Sequence, residues 1–294
     1  MTKLGKITKS LTVALAALAS VVAAPTAVAQ DRCPAVVVLA ARGSGQNGGY
    51  EWQPTRYGAS HWVSNGREGS TIRTFLNYAE NVHQRDTGTS LFTNVQVVGI
   101  DERAYPANFP EQDFRQPTNV SEALGEFTDR VMPRAKAFLN SITVGRVGAE
   151  ATVRAHDAAT GCNSKYLLVG FSQGATVITD LEKKLAGEGR LAGALYMGSP
   201  YTSAADPHRV GSGLSGDGVL AKTPGNGSRI RSNDRRIEYC VQGDVWCDFN
   251  AVKVAKGEVE NPWGHNQYFI GNTPFPGDRD FVAREFAGLI HSAG

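Results

Sequence analysis

The feature that most narrows what this chain can fold into is Gly170-Phe171-Ser172-Gln173-Gly174. It directly follows the apolar run Tyr166-Leu-Leu-Val169 and directly precedes a helix-like stretch, Ala175 to Leu185. That is the strand, sharp turn and helix context of a nucleophile elbow. A serine held on such a strained turn projects its hydroxyl into open space. Glycines two residues before and two after let strand and helix pass closely enough to form the turn. With 33 glycines and 18 serines in 294 residues, roughly 0.2 such patterns arise by chance. The placement, more than the pattern, carries the reading.

A serine alone is a poor nucleophile and requires a base and an orienting carboxylate, which α/β-hydrolases supply in the chain order Ser, Asp or Glu, His. Only His208, His265 and His291 follow Ser172. His291 lies near the chain end, where fraying is expected, and His208 falls in the Gly-rich stretch Pro207 to Gly218. His265, in the loop Asn261-Pro-Trp-Gly-His265, is the expected base. Asp244 in Cys240-Val-Gln-Gly-Asp244-Val-Trp-Cys247 is the expected acid. It falls just past the strand Arg236 to Val241, where open α/β sheets place their chemistry. Asp248 is the runner-up. A bridge between Cys240 and Cys247 would close a small loop around Asp244 and fix the carboxylate that sets the imidazole tautomer.

An acyl-transfer site also needs donors for the developing oxyanion. The backbone N–H of Gln173 is the first candidate. The second is Ser44, by its N–H and hydroxyl, in Arg42-Gly-Ser44-Gly45 after the strand Ala35-Val-Val-Val-Leu-Ala-Ala41.

These residues resemble the cutinases and cutinase-like serine esterases. The resemblance rests on Ala41-Arg-Gly-Ser44, Gly170-Phe-Ser172-Gln-Gly174, the loop holding Asp244 between Cys240 and Cys247, and the later His265. It implies Ser172 as nucleophile, Asp244 as orienting acid and His265 as base, with Ser44 and Gln173 as the oxyanion hole. It also implies disulfides Cys33 with Cys162 and Cys240 with Cys247. The chain departs from compact fungal cutinases in a long polar segment from Gln46 to Asn94, a Gly/Ser-rich insert from Thr202 to Ser228, and a longer reach from Cys247 to His265. In these it is similar to the bacterial cell-envelope branch, some members of which hydrolyse trehalose mycolates.

Residues 1–29 read as a secretory signal peptide: Lys3, Lys6 and Lys9, an apolar stretch from Leu11 to Ala24, and the small-residue cleavage site Ala27-Val-Ala29. Removing those lysines takes the formal charge from +2 to −1, which gives a nucleic-acid partner no support. Four cysteines in an exported chain favour two disulfides, with three pairings open. Neighbouring parallel strands starting at Ala35 and Lys165 would bring Cys33 to Cys162. No cysteine spacing resembles a metal-ligand pair, so neither a metal nor a cofactor is expected.

Residues 30–294 are expected to form a single three-layer α/β-hydrolase domain around a mostly parallel five-stranded sheet. The strands fall at Ala35–Ala41, Asn94–Ile100, Lys165–Gly170, Leu191–Met197 and Arg236–Val241. The helices fall at Val120–Ser141, Ala175–Leu185 and Asp280–His291, with a weaker one at Glu150–Ala158. The insert reads as a flexible surface excursion in preference to a lid. Arg229, Arg231, Arg235 and Arg236 read as a solvated face, or as a contact to head groups. Trp246, Trp263, Tyr268 and Phe269 read as core, or as the lining of an acyl groove. The functional expectation is a monomeric serine esterase acting on lipid or other carboxylic esters, either secreted to the extracellular space or in peripheral contact with the cell envelope. Its rivals are an acyltransferase with the same triad and a catalytically inactive envelope lipid-binding protein.

Overall fold

The computed structural model describes residues 33–108, 132–224, 226, 234–256, 264–271 and 275–294, without the side chains of 132–135, 251, 254 and 255. The expected signal peptide, most of the expected helix Val120–Ser141, Arg229, Arg231 and Trp263 lie outside the described residues. Cys33–Gly294 forms one unit.

The elements in chain order are β1 (Val36–Ala41), α1 (Ser70–Thr87), β2 (Val95–Gly99), α2 (Met132–Thr160), β3 (Lys165–Phe171), α3 (Gln173–Val177), α4 (Thr179–Gly187), β4 (Leu191–Met197), β5 (Arg209–Val210), β6 (Arg236–Tyr239), α5 (Ala251–Lys256) and α6 (Pro276–His291). The sheet runs β2-β1-β3-β4-β6-β5, and every neighbouring pair is parallel. The sheet therefore has six strands and not five. The extra one, β5, is only two residues long and lies in the Gly-rich insert, where no apolar run marks it.

The strands read as unbroken apolar runs because the sheet is covered on both faces. In β1 the odd and even residues divide cleanly. Val36, Val38 and Ala40 join a core with α1 and α6. Val37, Leu39 and Ala41 join a second core with α2, α3 and α4. Three layers follow directly.

Two expectations about helices change. The polar segment Gln46–Asn94 contains the 18-residue α1. Its contact with the core is a narrow stripe of Ile72, Phe75, Leu76, Ala79 and Val82, diluted in sequence by charged and amide residues on the other faces. In place of two separate helices, α2 runs unbroken through the weaker stretch Glu150–Ala158, and the stretch after the elbow divides at Ile178 into α3 and α4.

The strand order reverses between β1 and β3. The chain leaves β1 for β2 on one side, then returns to place β3 on the other. Open α/β sheets leave a crevice at such a point, beyond the C-terminal strand ends. The Arg42–Gly45 turn and Ser172 both emerge there. At the opposite end Val36 is in register with Lys165, and the Cys33–Cys162 disulfide joins the two strand starts.

Candidate active site

Ser172 lies between β3 and α3 with φ 54° and ψ −121°, a conformation that a residue with a side chain adopts only under constraint. The constraint is visible on both sides. A Cβ on Gly174 would stand 2.0 Å from the Ala41 carbonyl oxygen, and one on Gly170 would stand 2.6 Å from Ala175 Cα. The elbow closes only because both positions are bare.

The Ser172 hydroxyl lies 2.9 Å from His265 Nε2, and His265 Nδ1 lies 2.8 Å from Asp244 Oδ2. A carboxylate can only accept, so Nδ1 carries the proton and Nε2 is left to accept from Ser172. Asp244 is fully buried and the His265 side chain is 19% exposed. Phe171 stacks on the imidazole at 5.1 Å and 23°, holding the ring on one face. Trp246 flanks it at 6.1 Å and is itself stacked on Phe138 at 6.2 Å.

Asp244 is gripped by its own loop. Trp246 N–H donates to Asp244 Oδ1 at 2.9 Å, and Cys240 is bridged to Cys247. The tight approach of the His265 segment depends on Gly264, where a Cβ would meet the Gln242 carbonyl at 2.8 Å and the Asp244 nitrogen at 2.9 Å. Asp248, the runner-up acid, faces elsewhere. Its Oδ1 accepts from the N–H groups of Ser215 and Gly216 at 2.7 and 2.6 Å.

Gln173 opens α3 immediately after Ser172, and its side chain fixes its backbone. Nε2 donates to the carbonyls of Asn108 and Phe138 at 3.2 and 3.3 Å. Oε1 faces the Tyr105 hydroxyl at 2.9 Å and accepts from Ser141 at 3.3 Å. The same Tyr105 hydroxyl lies 3.0 Å from the Arg42 carbonyl, tying the elbow to the turn that carries Ser44. That turn is braced from below by Arg42, which is fully buried. Its guanidinium donates to the carbonyls of Ile100 and Tyr105 at 2.7 and 2.8 Å and to Asn47 Oδ1 at 2.8 Å. Burial pushes this guanidinium below its ordinary value, against the influence of Tyr105. Gln46 completes the turn, accepting from Gly43 N–H and donating to Ser70 and Thr71. Ser44 itself is half-buried in it.

A sequence model described as Cutinase matches residues 66–273. The chain belongs to the cutinase family. It is a carboxylic-ester hydrolase of the serine type. Solved structures with a similar fold include a cutinase-like protein from Cryptococcus sp., at 16% identity and TM-score 0.50, covering 88% of this chain and 96% of that one. An iodinated complex of acetyl xylan esterase is similar at 18% identity and TM-score 0.50, covering 89% of this chain and all of the other. No curated protein matches the chain.

Several expectations for this cutinase-family chain change at the margins of the site. Arg236 is not on a solvated face: it is buried and paired with Asp206 at 2.6 Å, with Glu238 and Glu182 at 3.5 and 3.9 Å. Arg235 instead donates to the Ala192 carbonyl. The described part of the insert is stapled rather than free. Asp248 holds Ser215 and Gly216, and Asp278 at the start of α6 accepts from Ser212 N–H and hydroxyl at 2.7 and 2.8 Å. His291 meets His83 at 3.2 Å between Nε2 atoms, and His208 lies 3.8 Å from Asp234. Tyr268 and Phe269 are core residues. Tyr105 and Ser141 brace Gln173 without any local sequence signal, since each reaches it across the fold. Among the described residues no group of three or more His, Cys, Asp or Glu could hold a metal ion.

Proposed function

We propose that this cutinase-family hydrolase cleaves lipid esters through Ser172, His265 and Asp244. The observation that supports the reading is the unbroken relay from Ser172 Oγ through both ring nitrogens of His265 to Asp244, at 2.9 and 2.8 Å. His265 Nε2 takes the hydroxyl proton as Ser172 Oγ attacks the ester carbonyl, and the imidazolium so formed is stabilised by the buried Asp244 carboxylate. The carbonyl oxygen becomes an oxyanion held by Gln173 N–H and by Ser44. Collapse expels the alcohol, protonated by His265, and leaves an acyl-serine. Water, deprotonated by the same imidazole, then releases the acid.

The two disulfides fit an oxidising extracellular compartment, and we extend the reading to a secreted monomer in peripheral contact with the cell envelope, with no nucleic-acid partner. Trp246 beside His265, with Phe138 stacked on it, gives an apolar wall suited to an acyl chain. Envelope glycolipids of the trehalose mycolate type are the proposed substrates, on the resemblance of the long segments to the bacterial branch. Purified protein should hydrolyse p-nitrophenyl esters and release free mycolate from trehalose mycolates. Ser172→Ala should abolish both at unchanged circular dichroism. Retention of most activity by that variant overturns the triad, and ester turnover without mycolate release overturns the glycolipid substrate alone.

A further inference from the structure

The triad carboxylate has one partner that the reaction does not account for. Tyr268 follows His265 by three residues, just beyond the short 3-10 turn Gly264–Asn266, and its ring is fully buried. Its hydroxyl lies 2.7 Å from Asp244 Oδ2, the same oxygen that accepts from His265 Nδ1. It also accepts from Val241 N–H at 3.2 Å and stands 3.4 Å from Cys247 Sγ. With an N–H already pointing at its lone pairs and a carboxylate that can only accept, the single hydroxyl hydrogen has one good destination, Asp244 Oδ2.

We propose that Tyr268 is a positioning residue that sets both the orientation and the basicity of the Asp244–His265 pair. The proposal rests on the triad reading above. One side chain from the base's segment grips the acid's loop at three points, so acid and base cannot drift apart independently. The three hydrogen bonds on Asp244, from Trp246 N–H, His265 and Tyr268, also leave its carboxylate no free rotation. Electrostatically, a hydroxyl sharing Oδ2 disperses the negative charge that would otherwise act wholly on the imidazolium, so removing that hydroxyl leaves the carboxylate to act undivided on the protonated ring.

The ionisable groups around the hydroxyl are few among the described residues. Asp244 and His265 are in contact with it. Tyr239 of β6 packs edge-on at 5.4 Å between ring centroids. Asp248 accepts from Gly243 N–H at 3.2 Å on the far side of the acid loop. Arg279 of α6 is spent on the carbonyls of Gln267, Ile270 and Gly271. Burial first, and the Asp244 charge second, hold the Tyr268 phenol well above its ordinary value, so it remains a donor throughout the pH range in which the enzyme is assayed.

The test is the pH profile of kcat/KM for a short p-nitrophenyl ester, measured on wild type, Tyr268→Phe and, as a packing control, Tyr239→Phe. Tyr268→Phe should lose about tenfold in kcat with KM within about twofold, and its acid limb should move up by about half a pH unit. Tyr239→Phe should leave the limb in place. Incorporation of 3-fluorotyrosine at 268 preserves shape while making the hydroxyl a stronger donor, and should move the limb down. An acid limb that stays at the wild-type position in Tyr268→Phe, or in the fluorotyrosine protein should Tyr268→Phe not fold, overturns the proposal. Ser172→Ala and His265→Ala, assayed alongside, separate the two failures. If either stays active the triad reading itself falls, whereas if both are dead and the limb does not move, only the role of Tyr268 falls.

Discussion

Backbone strain at Ser172 can be measured by comparing Ser172→Gly with Ser172→Ala. Both variants lose the hydroxyl and its hydrogen bond to His265, so that loss cancels. They differ only in Cβ. At an ordinary buried position glycine is the less stable of the two: the unfolded chain gains freedom worth about 0.5–1 kcal/mol, and a buried methyl worth about 0.8 kcal/mol is removed. At Ser172 the backbone sits at φ 54°, ψ −121°, where a Cβ costs about 1–3 kcal/mol that glycine escapes. Taking the middle of each range, Ser172→Gly should exceed Ser172→Ala by about 0.5 kcal/mol, where an unstrained site would place it about 1.5 kcal/mol below. Equilibrium urea unfolding with disulfides intact resolves a gap of that size. A glycine variant less stable than the alanine variant by 1 kcal/mol or more would show that the elbow is relaxed and that the strain argument is wrong.

The two disulfides should separate stability from activity. Replacing Cys33 and Cys162 by Ser opens a loop of 129 residues and should cost about 5 kcal/mol with kcat per folded molecule unchanged. Replacing Cys240 and Cys247 opens a loop of only seven and should cost about 2 kcal/mol, yet lower kcat by loosening Asp244. Calorimetry paired with ester turnover reads both. For pH, His156 on α2 is half-buried against Tyr166 and Gln96 at 3.0 Å each. Burial holds its imidazole below the ordinary 6.5, against the pull of Asp157. The unfolded chain therefore takes up the proton first as pH falls. This contribution to stability is complete above pH 6.5 and declines below it, and His156→Gln should flatten that part of the urea midpoint profile between pH 7 and 5.

The parts of the fold legible in sequence are those where local pattern and tertiary role coincide. Strands β1, β3 and β4 are apolar because both sheet faces are covered, and Leu191–Met197 is marked to the residue. The elbow is legible because its two glycines answer a steric demand within five residues. Helix α1 is not, since its stripe from Ile72 to Val82 is thin and its polar faces dominate the composition. Strand β5 is not, because two residues carry no period. In the site, Ser172, Asp244 and His265 are marked by chain order and loop context. Gln173 is marked only as a backbone donor, while its side chain, held by Tyr105 and Ser141 from 68 and 32 residues away, does the anchoring. Tyr268 has the composition of a core residue and is one. Its hydroxyl acquires a role only once the acid loop is folded against it.

The central claim is that Ser172 is made nucleophilic by His265 and Asp244. A fluorophosphonate probe followed by peptide mass spectrometry, run on wild type, His265→Ala and Asp244→Asn with disulfides intact, tests it most directly. The account predicts labelling confined to Ser172 in the wild type, slowed by about a thousandfold or more in both variants. Labelling at another serine, or equal rates in all three proteins, would contradict it.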